Sequence, residues 1–475
     1  MMLSKNRKFL SLFLIAICFS AGCMVGPEYK RPSTVADKAE WPFRNKEYTQ
    51  DANSPGRWWE RFDDAATNTL VQKAFENNYD VKIAAAKVLQ AEANFKIAGG
   101  KLLPEVSVDF DRQFTRKSSG PPGSGSESSA VVKKTRTYTS ELSISYVLDL
   151  FGKLKHAKAA KYKTLLAAKA NKNAVINSLI ASVINSRLNI ATLQKRLAIA
   201  KANTQSLAKT LNIVEGRYKL GLVGPVDVRL ARENLAAAQV AEPEIELSLK
   251  LAENALAELL VAQPGKSEPL EAMTADLPLP QAVPVGLPAT LLQRRPDIVE
   301  AELKLKSQNE TIGESIAKLY PDLTFTGSMG WKSNTSNPIF VDEAWIYSTL
   351  LSFSQPLFKG GQLKAQVDWD KAKFAELAAT YSKTVIAAMR EVQDQAVTED
   401  LLRRKLRFAQ IRFSEAKSAE ELSRERYKRG VESILTVLES ERRRNTAEES
   451  LAILKGQIWN ARVNLFLALG GDWTS

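Results

Sequence analysis

Few residues in this chain could do bond chemistry. His156 is the single histidine among 475 residues, so neither a histidine-based triad nor a multi-imidazole zinc site can be assembled. No Gly-rich phosphate loop and no cysteine cluster is present, which leaves no constellation for catalysis and no expected cofactor. Arg294 and Arg295 form a doublet that could hold an anion. At a helix start, such a pair is better explained by interchain or interdomain contacts. One thiol remains to be explained, that of Cys23.

Lys5, Arg7 and Lys8 precede an apolar run from Phe9 to Phe19, followed by Ser20-Ala21-Gly22-Cys23. A basic start, a short apolar run and small residues make a secretory signal, and the run is too short to span a bilayer. Ala-Gly-Cys at the cleavage point looks like a bacterial lipobox. Residues 1–22 would then be removed, and Cys23 would be the acylated first residue of the mature chain. Ser20 stands where such boxes usually carry Leu, and an ordinary signal with an incidental cysteine is the alternative. Met24 in place of Asp, by resemblance to Gram-negative lipoproteins, favours outer-membrane sorting. Cys18 leaves with the signal, so the mature chain has one cysteine and no intrachain disulfide.

A net charge of +13 raises nucleic acid as a partner, but the distribution argues against it. The stretch 152–218 is rich in Lys and Arg with Glu215 as its only acid, while the next segment carries Glu242, Glu244, Glu246, Glu253 and Glu258. Helix pairing and solvated faces account for this better than DNA does, and an exported chain rarely reads nucleic acid.

The elements that must position any site follow from periodicity. Ile176, Leu179, Val183, Ser186, Ile190, Leu193, Leu197, Ala200, Thr204, Leu207, Leu211, Val214 and Tyr218 step alternately by three and four, a coiled-coil seam of about six heptads. At 1.5 Å per residue, roughly 65 residues make a helix of ~100 Å, which needs partner helices to bury its seam. The chain also repeats itself. Asp80 answers Asp297, Pro104 answers Pro321, Gly152 answers Gly361, and Arg217-Tyr218-Lys219-Leu220-Gly221 answers Arg426-Tyr427-Lys428-Arg429-Gly430. The offset falls from 217 for the Asp pair to 209 for the Gly152 pair, so the first half holds eight extra residues, assigned to the Ser/Gly/Pro tract 118–130.

The expected organisation is a signal (1–22), an extended acylated segment (23–62), a first repeat (63–262), a Pro-rich linker (263–287) and a second repeat (288–471). The first repeat holds a helix, strands at about 104–116 and 136–149, and long helices at 152–218 and 225–262. The second has strands at about 321–333 and 343–357 and long helices at 361–427 and 433–469. One strand parity carries Val106, Val108, Phe110, Phe114, Tyr138, Leu142, Ile144, Tyr146, Leu148, Leu323, Phe325, Met329, Trp331, Trp345, Tyr347, Leu351 and Phe353; the other is polar. Strands of this length and alternation fit a transmembrane barrel. A soluble half-buried sheet would show the same pattern. Four strands cannot close a barrel, and an open edge in hydrocarbon is forbidden, so several chains must share one: two copies give eight strands, three give twelve.

These residues resemble the TolC-like outer-membrane factor family, in its lipoprotein (NodT-type) branch. Val25-Gly26-Pro27-Glu28-Tyr29-Lys30-Arg31-Pro32 after the lipid cysteine, Trp58-Trp59 with Phe62, and Leu291-Leu292-Gln293-Arg294-Arg295-Pro296-Asp297-Ile298 carry the resemblance, with the two Arg-Tyr-x-x-Gly turns. It covers the chain from Cys23 to about Gly471. The resemblance implies a mixed α/β membrane protein: long antiparallel coiled-coil helices plus four transmembrane strands per chain, forming a homotrimeric twelve-stranded barrel that continues into a twelve-helix tube. It implies an exit duct in the Gram-negative outer membrane, its helical body in the periplasm. The duct would pass solutes from an inner-membrane pump of RND type through a periplasmic adaptor, with outer-membrane lipid as the remaining partner and no enzyme activity. The same architecture serves type I protein secretion. A lipid-anchored periplasmic coiled-coil scaffold would explain the helices but not the strands.

By the same resemblance, Arg217, Tyr218, Gly221, Arg426, Tyr427, Gly430 and Ser433 are adaptor-docking turns at the periplasmic tip. The family's turn runs on as Gly-x-x-Ser-x-x-Asp. Here Gly224 replaces Ser before Asp227, and Thr436 replaces Asp after Ser433. Glu439 falls where relatives carry an acid lining the closed tip. Glu439, Asp227 and Thr436 are therefore the candidate gate and selectivity residues, with Arg442 and Arg443 as plausible partners of Glu439.

Overall fold

The structure, a computed structural model, describes residues 24–37, 59–60, 64–119, 131–266, 291–334 and 340–471. The signal 1–22, Cys23, Trp58, Phe62, the hairpin tip 120–130 and the linker stretch 267–290 lie outside the described residues. The helices are α1 (Ala65–Asn77), α2 (Tyr79–Gly100), α3 (Lys153–Lys219), α4 (Pro225–Leu259), α5 (Leu291–Arg294), α6 (Pro296–Ala317), α7 (Gln362–Lys428) and α8 (Ile434–Ala468); the strands are β1 (Glu105–Ser119), β2 (Val131–Leu148), β3 (Asp322–Ser333) and β4 (Trp345–Ser354). The chain divides into two compact units, residues 1–31, 88–167 and 302–380, and residues 32–87, 168–301 and 381–475.

The first unit contains one antiparallel sheet in the order β1-β2-β3-β4. β1 and β2 run on to Ser119 and Val131, so the strands absorb part of the tract expected to be loop. Register aligns Val108, Leu142, Met329 and Tyr347 in one row across all four strands. The neighbouring row on the opposite face is Ser107, Ser143, Ser328 and Ser348, with hydroxyl contacts of 2.8 Å between Ser107 and Ser143 and 3.1 Å between Ser328 and Ser348. Alternation thus sorts apolar from polar faces as a period of two requires. The apolar face is bare: Phe110, Tyr347 and Phe353 are 73%, 78% and 68% exposed. Gly330 lets β2 approach, since a β-carbon there would lie 2.0 Å from the Ser140 carbonyl oxygen.

In the same unit the segment from Met24 to Tyr29 is tied down. The Val25 N–H donates to the Phe151 carbonyl at 3.3 Å, Asn309 donates to the Pro27 carbonyl at 2.9 Å, and Tyr29 donates to Glu302 at 3.4 Å. His156 is its central post. The buried ring places Nε2 3.1 Å from the Val25 carbonyl and Nδ1 2.7 Å from Glu310. Gly313 makes room, because a β-carbon there would come within 2.5 Å of the imidazole.

The second unit holds the main cores. Along α3, Val183, Ile190 and Val214 are fully buried, as the seam requires. The buried face is wider than a seam, however. Ile180, Ala181, Ile184 and Leu188 join the same cluster, with Ile245, Leu249 and Leu256 of α4 and Trp459 and Val463 of α8. A helix packed on two sides needs a broad apolar face, which a two-stranded heptad pattern understates. The acids of α4 contribute little to its pairing: Glu244, Glu246 and Glu258 are exposed. Where charge does join α3 to α4, Arg232 of α4 reaches Glu215 of α3 at 2.6 Å, reversing the expected sign. Arg295 contacts its own chain, donating to Asp297 and Glu391 at 2.7 Å and to the Ala468 carbonyl at 3.0 Å. Burial works against its charge, but those carboxylates outweigh it and its pKa is raised. Arg462 and Glu399, almost wholly buried, pair at 2.9 Å with Arg403 completing the carboxylate.

Candidate functional site: the helix-to-helix turns

The two 67-residue helices, α3 and α7, end in a glycine turn of the same design. After α3, Gly221 at φ +72° follows Tyr218, and the Leu222 N–H donates to the Arg217 carbonyl at 3.0 Å. After α7, Gly430 at φ +80° follows Tyr427, and the Val431 N–H donates to the Arg426 carbonyl at 3.1 Å. Left-handed backbone at both positions explains why glycine recurs in the two Arg-Tyr-x-x-Gly motifs. The turns then diverge. Gly224 precedes α4 with no side-chain cap and Pro225 at the first helical turn, whereas Ser433 caps α8 by accepting from the Thr436 N–H at 3.2 Å.

The two tyrosines that look equivalent in sequence part company here. Tyr218 is 47% exposed, while Tyr427 is 4% exposed. Tyr427 belongs to a cluster with Leu207, Val214, Val228, Ile434, Val437 and Leu438 that underlies both turns. Arg217 crosses from the first turn to the second. Its guanidinium lies 4.7 Å from the Tyr427 ring centroid and donates to the Tyr427 carbonyl. Burial pushes the Tyr427 phenol up; Arg217 opposes this and Asp227 adds to it. Arg426, the counterpart of Arg217, instead sits 3.3 Å from Glu432.

The candidate gate residues fall into separate settings. Glu439 is gripped by Arg442, with two contacts of 2.8 Å, and by Arg443 at 2.6 Å. Hydrogen bonds from Arg442 and then Arg443 pull its carboxyl down to about 2. Asp227, half-exposed in the first turn of α4, lies near enough to Tyr427 to act on its phenol. Thr436 stands where an acid was expected, yet an acid is close by. Glu432, which motif reading passed over, has its carboxyl lowered by hydrogen bonds from the Thr436 side chain and the Ser433 N–H, with burial opposing and Arg426 adding. The available signal was its place one residue before the capping serine. A second overlooked acid, Glu441, is 1% exposed and accepts from Thr210 at 2.9 Å and from Arg424. The turns also expose apolar side chains: Leu220, Leu222, Val226 and Val431 are 62% exposed or more.

The sequence profile described as outer membrane efflux protein matches residues 70–261 and 287–471. The chain belongs to that family. It is 29% identical over 472 residues to the pyoverdine export outer membrane protein OpmQ of Pseudomonas aeruginosa, covering 98% of this chain and 97% of that one. It is 28% identical over 477 residues to the toluene efflux pump outer membrane protein TtgC of Pseudomonas putida, covering 98% and 96%. The solved outer-membrane channel OprN superposes with a TM-score of 0.87 at 25% identity, over 95% of this chain and all of that one. Like the rest of this family, the chain is an outer-membrane efflux channel and not an enzyme. It resides in the Gram-negative outer membrane with its helical body in the periplasm.

Proposed function

We propose that three copies of this chain share one twelve-stranded barrel continued by a twelve-helix tube, and that the duct passively conducts small solutes. The solutes are delivered by an inner-membrane pump of RND type through a periplasmic adaptor. One observation carries this reading: a four-stranded sheet ends in two free edges, β1 and β4, with its apolar face uncovered. In hydrocarbon both edges need strand partners, and only further copies supply them in register. Recurrence of a 67-residue and a 35-residue helix in each half supports a twofold repeat over 63–262 and 288–471. Relatives named for pyoverdine and toluene favour small-solute efflux over protein secretion. The exposed apolar residues of the turns suit adaptor docking. Asp227, Glu432 and Glu439 supply charge at the periplasmic opening, and acylation at Cys23 anchors the chain in outer-membrane lipid.

The test is edge-to-edge cross-linking of the full chain in detergent. Cysteines placed on β1 at Val106 or Val108 are combined with cysteines on β4 at Tyr347 or Leu351. Oxidation should give a ladder that stops at three chains. A stable monomer that keeps its strand signal would sink the shared barrel.

A further inference from the structure

We infer that the outer face of the β1–β2 hairpin binds the phosphate groups of membrane lipid in the leaflet farthest from the periplasm. This rests on the shared-barrel reading, in which the apolar parity of each strand faces lipid. Along β1 that parity runs Val106, Val108, Phe110 and then changes character to Arg112, Phe114 and Arg116. Register places Arg116 opposite Lys134, Phe114 opposite Arg136 and Arg112 opposite Tyr138. Four exposed cations therefore share one face just beyond the apolar band.

Their placement lacks an internal explanation. Like charges directly opposite on one sheet face destabilise the pair, yet Arg116 and Lys134 are so placed. Among the described residues none of the four forms an ion pair with a carboxylate; Arg112 lies 5.6 Å from the Tyr138 ring centroid. Among the described residues of this hairpin, the acids Glu105, Asp109, Asp111 and Glu141 have the opposite parity and face away. On the other hairpin the same face carries Trp331 and Trp345, 4.8 Å apart, in the row of Phe110 and one step nearer the apolar band than Arg112. Both strand ends joined to α2 and α3 belong to the periplasmic side, so the Arg112–Lys134 end lies at the far leaflet. An apolar band, then aromatic rings, then unneutralised guanidinium and ammonium groups is the profile of a bilayer boundary. Fork-shaped Arg donors match phosphate oxygens, and bridging phosphates would remove the repulsion between opposed cations.

The probe is fluorescent lipid A, a phosphorylated glycolipid, titrated into the full chain in neutral detergent. Wild type is compared with R112Q/R116Q/K134Q/R136Q, with the milder R116Q/K134Q, and with K117Q/K133Q, whose lysines lie on the opposite parity of the same hairpin. A cation near a lipid surface contributes about fivefold in affinity. The quadruple variant should therefore lose at least about tenfold and R116Q/K134Q an intermediate amount, while K117Q/K133Q stays near wild type. Excess inorganic phosphate should not displace the probe. Equal affinity of all variants, equal loss in K117Q/K133Q, or displacement by inorganic phosphate would each overturn the assignment. Channel conductance in phosphatidylcholine bilayers separates the two readings. Wild type that fails to insert defeats the barrel and this surface together, whereas insertion without lipid A binding defeats the surface alone.

Discussion

Arg217 lies with its guanidinium 4.7 Å from the ring centroid of Tyr427, and the same group donates to the Tyr427 carbonyl. One side chain thus pins the turn after α3 to the turn after α7. A partly buried cation–π contact contributes about 1 kcal/mol and a charged hydrogen bond about 2 kcal/mol. Arg217→Ala should loosen the turns and raise basal conductance in planar bilayers several-fold. Tyr427→Phe should leave conductance near wild type, because the phenol oxygen is buried with no hydrogen-bond partner among the described residues. Equal effects of both changes would refute the pin.

Glu439 carries the clearest pH signature. Its folded pKa is depressed to about 2, so its pairing with Arg442 and Arg443 is fully present above the ordinary carboxylate value near 4.3 and is lost only as pH falls through about 2. Glu439→Gln leaves two arginines without their acid and should weaken cation selectivity, read as reversal potential across a salt gradient. Block by multivalent cations on the periplasmic side should weaken with it. In wild type, selectivity set by Glu439 stays flat from about pH 7 down to about pH 4. A steep change in that interval, or an unchanged Glu439→Gln channel, would move the constriction to Asp227 or Glu432.

His156 ties the segment that follows Cys23 to α3 and α6. His156→Ala removes the ring from the Val25 carbonyl and from Glu310, leaving two part-buried polar groups without it at about 1 kcal/mol. Trypsin should then cut after Lys30 roughly tenfold faster, with barrel assembly retained on gels. No change in cutting would mean that Asn309, Glu302 and the Phe151 carbonyl hold the segment without it.

Two glycines in β3 should behave differently. A β-carbon at Gly330 would lie 2.0 Å from the Ser140 carbonyl oxygen, whereas one at Gly327 would lie 3.1 Å from the Ile144 methyl. Gly330→Ala should force β2 and β3 apart and abolish assembly; Gly327→Ala should cost about 1 kcal/mol and still assemble. Normal assembly of the Gly330 variant would contradict the strand register.

The proposed lipid anchor is Cys23. Cells fed labelled palmitate should label the wild type and leave Cys23→Ser unlabelled. An unlabelled wild type would remove the anchor while leaving the barrel untouched.

Much of this was legible from period alone. Strand parity needs no tertiary information, so Val108, Leu142, Met329 and Tyr347 could be assigned to one face before their register was known. The seam from Ile176 to Val214 was readable for the same reason. What stayed hidden depends on partners distant in sequence. Arg187 and Arg462 are 1% and 2% exposed, which no periodicity marks. Glu399, which neutralises Arg462, comes from another helix 63 residues away. The motif shared by Tyr218 and Tyr427 conceals their difference, since burial is decided by which neighbours close over each turn. Arg112 and Arg116 interrupt an apolar parity, and their import appears only once Lys134 and Arg136 are set beside them.

The free edges of β1 and β4 have a consequence in genetics. In a shared barrel each copy offers one edge to each neighbour, so a single copy with a spoiled β4 edge leaves the ring open. In a cell making equal amounts of intact and spoiled chains, only roughly one trimer in eight would be assembled from intact copies alone. Loss-of-function alleles that still fold should therefore act dominantly when they lie in an edge strand, while alleles that destroy the whole chain should be recessive.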